Sequence, residues 1–271
     1  MKRLLITGGS GDLGRRLSQR AAGYEVHVTY LSRPERILAG QPHQLDLCDR
    51  AAVQAALESI RPDAIIHTAL GTVPDPEQQI VGAASNLHEL RDPGVRLILL
   101  SSDLVFDGLQ APYREDATPT PLSAYGRAKA QIEAFGDCAV RTSLIYDFEP
   151  GNKQVDWLLS TIARGERCPL FYDEFRNPMW AVNLGDTLLE LVESDFKGIL
   201  NVAGPESLSR LDFGCRLLRA LGYNPADHVT RTSQAGRGRP PDLTFDLSKA
   251  RQILRTPLLT FAEAQAAHAQ G

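Results

Sequence analysis

Lys2-Arg3-Leu4-Leu5-Ile6 runs directly into Thr7-Gly8-Gly9-Ser10-Gly11-Asp12-Leu13-Gly14, and Arg15-Arg16-Leu17-Ser18-Gln19-Arg20-Ala21 follows. A short apolar run, closed by glycines and continued by an amphipathic segment, reads as strand, tight turn and helix. Gly8, Gly11 and Gly14 fit G-x-x-G-x-x-G. The first glycine permits a turn that a Cβ obstructs, the second admits a diphosphate close to the backbone, and the third lets the helix lie against the strand. The N–H groups that open the helix then face the phosphates. A glycine triplet alone is a weak signal; this one gains from its place, straight after the first strand and at the start of a helix.

Outward from the turn, residues 25–31 and 44–46 read as strands, 50–60 as a helix ending before Pro62, 64–68 as a strand, 78–90 as a helix and 95–102 as a strand. After a proline-rich loop at 112–121 come a helix over 124–135 and a strand over 139–142. Strands alternating with helices predict an α/β fold: a Rossmann-type doubly wound parallel sheet. Beyond Pro150 the pattern is less regular, with helices expected at 155–164, 184–193, 211–221, 248–254 and 260–268 and short strands near 181–182 and 200–202. The expected division is a dinucleotide-binding domain over residues 1–150 and a smaller α/β substrate lobe over 151–271, with interleaved boundaries.

Composition narrows the partners. Hydrophobic residues make up 43% and charged residues 23%, a globular balance. The formal net charge of −4 comes with no basic block, which argues against nucleic acid as the main partner. No apolar run approaches the roughly 20 residues that span a bilayer, and the first apolar segment is too short for a signal peptide; a cytoplasmic protein is expected. Cys48, Cys138, Cys168 and Cys215 form no C-x-x-C pair and the histidines no H-x-x-x-H pattern, so buried free thiols and no metal are expected.

The chemistry is carried further along. The strand over 95–102 runs into Ser101-Ser102-Asp103, and a later helix opens with Tyr125-Gly126-Arg127-Ala128-Lys129. Tyr and Lys at i and i+4 share a helix face. An ammonium there favours the phenolate, predicting a tyrosine pKa below its usual value of about 10 and a proton donor suited to neutral pH. Alone, the pair reads as a solvated helix face; joined to the glycine turn and Ser-Ser-Asp it reads as a site. Cofactor type is written after the second strand, where an NAD site places an acid roughly 20 residues past the glycines. This chain has Tyr30-Leu31-Ser32-Arg33, and arginine pairs with a 2′-phosphate in bidentate fashion, so NADPH is expected ahead of NAD.

At these residues the chain resembles the extended short-chain dehydrogenase/reductases, and within them the dTDP-4-dehydrorhamnose reductase (sugar-nucleotide-binding) family. The match lies in residues 7–14, in Ser101-Ser102-Asp103-Leu104-Val105-Phe106-Asp107-Gly108, in Glu115-Asp116-Ala117-Thr118-Pro119-Thr120-Pro121 leading to Tyr125 and Lys129, and in Arg141-Thr142-Ser143-Leu144-Ile145-Tyr146. The resemblance implies that Ser102 orients a carbonyl, that Tyr125 is the acid, and that Lys129 holds the nicotinamide ribose and tunes the tyrosine. It implies a cofactor set of Gly8, Ser10, Gly11, Asp12, Leu13, Gly14, Arg33, Asp46, Leu47, Ala69, Tyr125 and Lys129. Asp46 reads equally well as a helix cap before Arg50. Asp103, Arg176 and Arg239 are the implied substrate contacts, the arginines toward a diphosphate or, alternatively, as surface or interdomain residues. Trp157 and Trp180 read as core or as stacking residues.

The function this implies is NADPH-dependent reduction of a 4-keto nucleotide sugar by a monomer or homodimer. Its alternatives are a nucleotide-sugar epimerase or dehydratase with tightly bound NAD and a non-catalytic cofactor-binding regulatory protein, since the β subunit of methionine adenosyltransferase belongs to the same family. The chain departs from the family pattern at Leu144, where a tryptophan is usual, at His67-Thr68-Ala69 in place of Asn-Ala-Ala, in a short 71–90 segment, and at Arg15 and Arg16, where some relatives carry a metal-binding glutamate.

Overall fold

The period of two in the first strand sets the layers of the molecule. In β1 (Arg3–Thr7), Leu4 and Ile6 enter one core and Leu5 the other. The structure, a computed structural model, describes residues 1–70 and 75–270; the expected shortness of the 71–90 segment lies partly outside them. Then follow α1 (Asp12–Arg20), β2 (Glu25–Tyr30), β3 (Gln41–Gln44), α2 (Arg50–Ile60), β4 (Ala64–His67), α3 (Pro76–Leu90), β5 (Arg96–Ser102), α4 (Ala124–Ile132) and β6 (Cys138–Thr142). The second half contributes β7 (Ile145–Tyr146), α5 (Lys153–Ala163), β8 (Cys168–Phe171), β9 (Phe175–Arg176), β10 (Met179–Trp180), α6 (Ala181–Val192), β11 (Gly198–Asn201), β12 (Leu208–Ser209), α7 (Arg210–Ala220), α8 (Pro225–His228), β13 (Val229–Thr232), α9 (Ser248–Ile253) and α10 (Phe261–His268).

The main sheet has seven parallel strands in the order β11-β6-β5-β4-β1-β2-β3. Strand order reverses between β1 and β4, which opens a crevice at their C-terminal ends. Leu17 of α1 and Leu184 and Leu188 of α6 cover Leu4, Ile6, Ile66 and Ile98 on one face. Val53 of α2, Ala84 of α3 and Ile132 of α4 cover Leu5, Ile65 and Leu97 on the other. The sheet is thus buried on both sides, which is why its strands read as near-continuous apolar runs. Residues past 150 return to it: β11 pairs with β6, Leu200 opposite Val140, and α6 lies against α1. A separate core of Tyr146, Phe148, Leu158, Trp180, Phe213 and Phe261 fills the lobe built from the second half.

Several elements differ from their expected positions. The third strand is Gln41–Gln44 rather than 44–46; Pro42 lacks an N–H, and the sheet edge tolerates it. The strand expected near 181–182 is Met179–Trp180, and Ala181 opens α6 instead. β8 and β13 form a parallel pair with no expected counterpart, because Pro169 and the half-exposed Val229-Thr230-Arg231-Thr232 look like loop. Trp180 belongs to the core, whereas Trp157 on α5 is 39% exposed. Cys138 and Cys168 are buried thiols as expected, but Cys48 is exposed because it follows the edge strand at a cavity rim. Among the described residues no helix is long and apolar enough to cross a membrane.

Candidate active site

One cavity of about 1010 Å³ opens along the C-terminal ends of β1, β4, β5 and β6, and each candidate site residue lines it. At its floor the glycine turn shows separate causes for each glycine. Gly8 has φ of +75°, and a Cβ there would meet the Ala69 Cα at 2.7 Å. A Cβ on Gly14 would lie 2.2 Å from the Gly8 carbonyl oxygen, whereas on Gly11 the nearest atom is that same oxygen at 3.1 Å. Gly11 also caps α1 and supplies no side-chain cap, which leaves helix-terminal N–H groups for an anion. These residues fit a dinucleotide diphosphate.

Around the turn the charges are sorted. Asp12 accepts from the Lys153 backbone N–H at 2.9 Å and from Arg36 at 3.1 Å. Arg36 also holds the Gly151 carbonyl, which occupies it. Arg33 is exposed and lines the cavity beside Tyr30. The helix cap considered for Asp46 is Asp49 instead, which accepts from Ala52 N–H at 3.1 Å. Asp46 accepts from Cys48 N–H at 2.9 Å and stays at the cavity with Leu47.

The second cluster sits where β5 ends and α4 begins. Ser123 caps α4 by accepting from Gly126 N–H at 3.1 Å, which fixes the helix start one residue before Tyr125. Gly126 lets the helix approach the segment after β5, since a Cβ there would lie 2.2 Å from the Leu104 carbonyl oxygen. Ser102 donates to Asp103 Oδ1 at 3.2 Å and accepts from Leu104 N–H at 3.2 Å. Lys129 is 1% exposed, donates to the Leu100 carbonyl at 2.8 Å, and stands 5.9 Å over the Tyr125 ring.

The electrostatics correct one expectation. Lys129 was expected to pull the Tyr125 pKa down; instead burial pushes Tyr125 up to about 12, with the Ser102 hydroxyl pulling the other way and the Asp103 charge adding to the rise. The physical reason is that Lys129 faces the ring and spends its hydrogen bond on Leu100, not on the phenol oxygen. Burial also brings Lys129 down to about 8. Asp103 is raised by burial, opposed in part by Arg176 at 3.6 Å and by the hydroxyls of Ser143, at 2.6 Å, and Ser102. The result is a neutral phenol at physiological pH that holds its proton until a stronger base develops next to it.

On the far wall, Glu174 is 1% exposed and bound by Arg239 at 2.5 and 2.9 Å and by Arg176 at 3.2 Å. Arg176 also donates to the Phe175 carbonyl at 2.7 Å. Both arginines reach the cavity as expected, but largely committed to protein acceptors. Sequence reasoning missed Arg210, Lys153, Gln154, Glu174 and Ser143 in the lining. A signal existed for Arg210: Ser209 and Asp212 form an N-cap pair at 2.6 Å, which places the arginine at the first helical position, where a cation is disfavoured.

A seven-stranded parallel sheet with a glycine turn at its crevice, and Ser, Tyr and Lys side chains at the adjoining strand ends, is the architecture of the extended short-chain dehydrogenase/reductases. The chain belongs to the family described as the RmlD substrate binding domain, whose model matches residues 1–270. It is 32% identical to a probable dTDP-4,6-dihydroxy-2-methyloxan-3-one 4-ketoreductase of Streptomyces antibioticus, over 88% of this chain and 83% of that protein. It is 29% identical to the methionine adenosyltransferase 2 subunit beta of Xenopus tropicalis, over 94% of this chain and 84% of that one. The fold matches, at a TM-score of 0.80 and 23% identity over 100% of both chains, dTDP-4-dehydrorhamnose reductase from Bacillus anthracis str. Ames in complex with NADP.

Proposed function

We propose that this chain is an NADPH-dependent reductase of a 4-keto nucleotide sugar. The observation that carries the reading is that Tyr125 shares one cavity with Ser102, Lys129 and the dinucleotide turn. NADPH supplies the hydride when bound. Ser102 orients the ketone oxygen, and Tyr125 gives it a proton as negative charge develops there. Lys129 keeps a positive charge under the tyrosine and replenishes the electrostatic balance once the phenolate forms. Gly8, Ser10, Gly11, Leu13 and Gly14 seat the diphosphate, and Asp46, Leu47 and Ala69 border the adenine side. The test is NADPH oxidation against a panel of keto nucleotide sugars; a protein that purifies with NAD it does not exchange favours the epimerase or dehydratase alternative instead.

Two expectations attach to this reading. Arg33→Ala raises the KM for NADPH about ten-fold and leaves that for NADH unchanged, because a paired 2′-phosphate is the only part of the cofactor that distinguishes them. Equal use of both cofactors before and after the substitution refutes the assignment. Reductive kcat falls as pH rises through about 8, where Lys129 loses its proton, while Tyr125, up at about 12, retains its own. In Lys129→Arg, which stays charged, that limb moves out of the measurable range.

A second reading, a cofactor-binding subunit of another enzyme, is favoured by the likeness to the methionine adenosyltransferase 2 β subunit over 94% of the chain and by Leu144 on the cavity wall in place of tryptophan. Absence of turnover with every ketone, together with tight NADP binding, decides for it.

A further inference from the structure

His67 is a buried titratable side chain that the catalytic scheme leaves unused. It closes β4, fully shut off from solvent, where the family pattern has an asparagine. In the sheet it stands opposite Thr7 of β1 on one side and Leu99 of β5 on the other. Residues opposed in a parallel pair share a face, and Leu99 enters the core that α4 covers. The imidazole therefore lies beneath the helix that carries Tyr125 and Lys129.

Nδ1 is 2.7 Å from Thr7 Oγ1. Nε2 is shut off from solvent and has no hydrogen-bond partner among the described residues. The two ring nitrogens point nearly opposite ways, so with Nδ1 on β1 the other is turned toward β5, where Lys129 donates to the Leu100 carbonyl at 2.8 Å. That is a single acceptor, among the described residues, for a buried ammonium with three donors. Lys129 is also the charge that acts on the imidazole: burial brings His67 down to about 3, and the lysine adds to the fall. The ring is thus neutral at working pH. Other charged groups on the elements packed around it are spent elsewhere. Glu133 of α4 is held by Arg141 and Ser101, Arg127 of α4 by Glu77 of α3, and Glu89 of α3 by Arg50 and Ser85. His88 of α3 stacks on Phe135, Arg3 of β1 donates to the Ile60 carbonyl, and Asp103 beyond β5 is bound by Ser143 and Arg176. A buried polar atom left without a partner is costly, and here an unpaired nitrogen and an under-bonded cation share one space.

We propose that His67 is a positioning residue for Lys129: its Nε2 lone pair is the buried acceptor that faces the ammonium, and Thr7 fixes the ring. The inference rests on the reductase reading and adds a residue behind its proton donor; His67 does not line the cavity and meets no ligand. The tautomer follows from the charge. A proton on Nε2 sets a donor against a cation, whereas a lone pair there is attracted to it, so Nδ1 carries the hydrogen and donates to Thr7. One N–H of the lysine, direct or through a bridging water, completes the contact. His67 thereby favours the charged form of Lys129 against the burial that opposes it. Because Thr7 immediately precedes Gly8, the same contact ties the root of the glycine turn to the catalytic helix.

The experiment uses the full chain labelled with carbon-13 at the lysine ε-carbon and follows Lys129 by NMR as pH is raised. The lysines are Lys2, Lys129, Lys153, Lys197 and Lys249, and the signal lost in Lys129→Arg identifies the one required. His67→Leu is expected to lower the Lys129 midpoint by about one pH unit, the ten-fold shift that losing one hydrogen bond to a charged group produces. The alkaline limb of kcat for ketone reduction moves down with it. His67→Gln, whose amide oxygen reaches the place of Nε2, recovers most of both. An unchanged Lys129 midpoint in folded His67→Leu overturns the proposal. Should that variant fail to fold, an unchanged midpoint in Thr7→Val, which releases the ring from its tautomer, overturns it too. A midpoint that falls in a protein that reduces no keto nucleotide sugar upholds the pairing and removes the reductase reading. Reduction by a protein whose midpoint stays put in His67→Leu does the reverse.

Discussion

Tyr125→Phe lowers kcat for ketone reduction by a factor of about 10²–10⁴, the range that positioned proton transfer contributes, and leaves NADPH binding close to wild type. The substitution removes one oxygen and keeps the ring that packs against the second core beside Ala128 and Ile132. Thermal stability therefore stays near that of the parent, so loss of turnover reads as loss of the proton donor. Stopped-flow oxidation of NADPH with and without the best keto nucleotide sugar checks it. Undiminished turnover in the mutant removes Tyr125 from the mechanism and passes the role to Ser102 or to solvent.

Gly14→Ala abolishes dinucleotide binding. Its methyl would lie 2.2 Å from the Gly8 carbonyl oxygen and 2.8 Å from the carbonyl carbon. Both are backbone atoms that no rotamer change moves aside, so α1 is forced off β1 and the turn opens. Overpacking of this kind costs about 1–3 kcal/mol, and the distorted turn no longer points its N–H groups at one phosphate. Gly11→Ala is the informative control. Its nearest neighbour would be 3.1 Å away, so the fold survives, while the methyl enters the space proposed for the diphosphate. NADPH fluorescence titration together with a thermal melt separates them: Gly14→Ala loses binding and stability, Gly11→Ala mainly binding. Wild-type affinity in both variants excludes this turn as the cofactor seat.

What was legible in the residues had local causes. The glycine turn, the apolar strands and the Tyr125–Lys129 spacing each depend on neighbours within a few positions, and the structure places them on one crevice. What was not legible depends on distant partners. The short strand expected near 200–202 is present as Gly198–Asn201, but its membership of the main sheet depends on the open edge that Cys138–Arg141 offers, and no local pattern announces that. The Tyr125 phenol escaped for a related reason. Spacing shows that Lys129 shares its helix face but not that the ammonium bonds to Leu100 on β5. Arg210 shows a third case, in which the signal was a contradiction: a cation at a helix start, where the local rule prefers an acid.

The return of β11 and α6 to the first half has a consequence for how such a protein is recombined. Cut at residue 150, the N-terminal piece would leave β6 as a bare edge inviting intermolecular pairing, and would strip Leu184 and Leu188 from Leu4, Ile6 and Leu17. The lobe built from the second half therefore cannot be exchanged between relatives as one contiguous cassette. A viable chimera grafts two separate inserts, one on each side of the segment from α6 to β11, and keeps that segment with its native sheet.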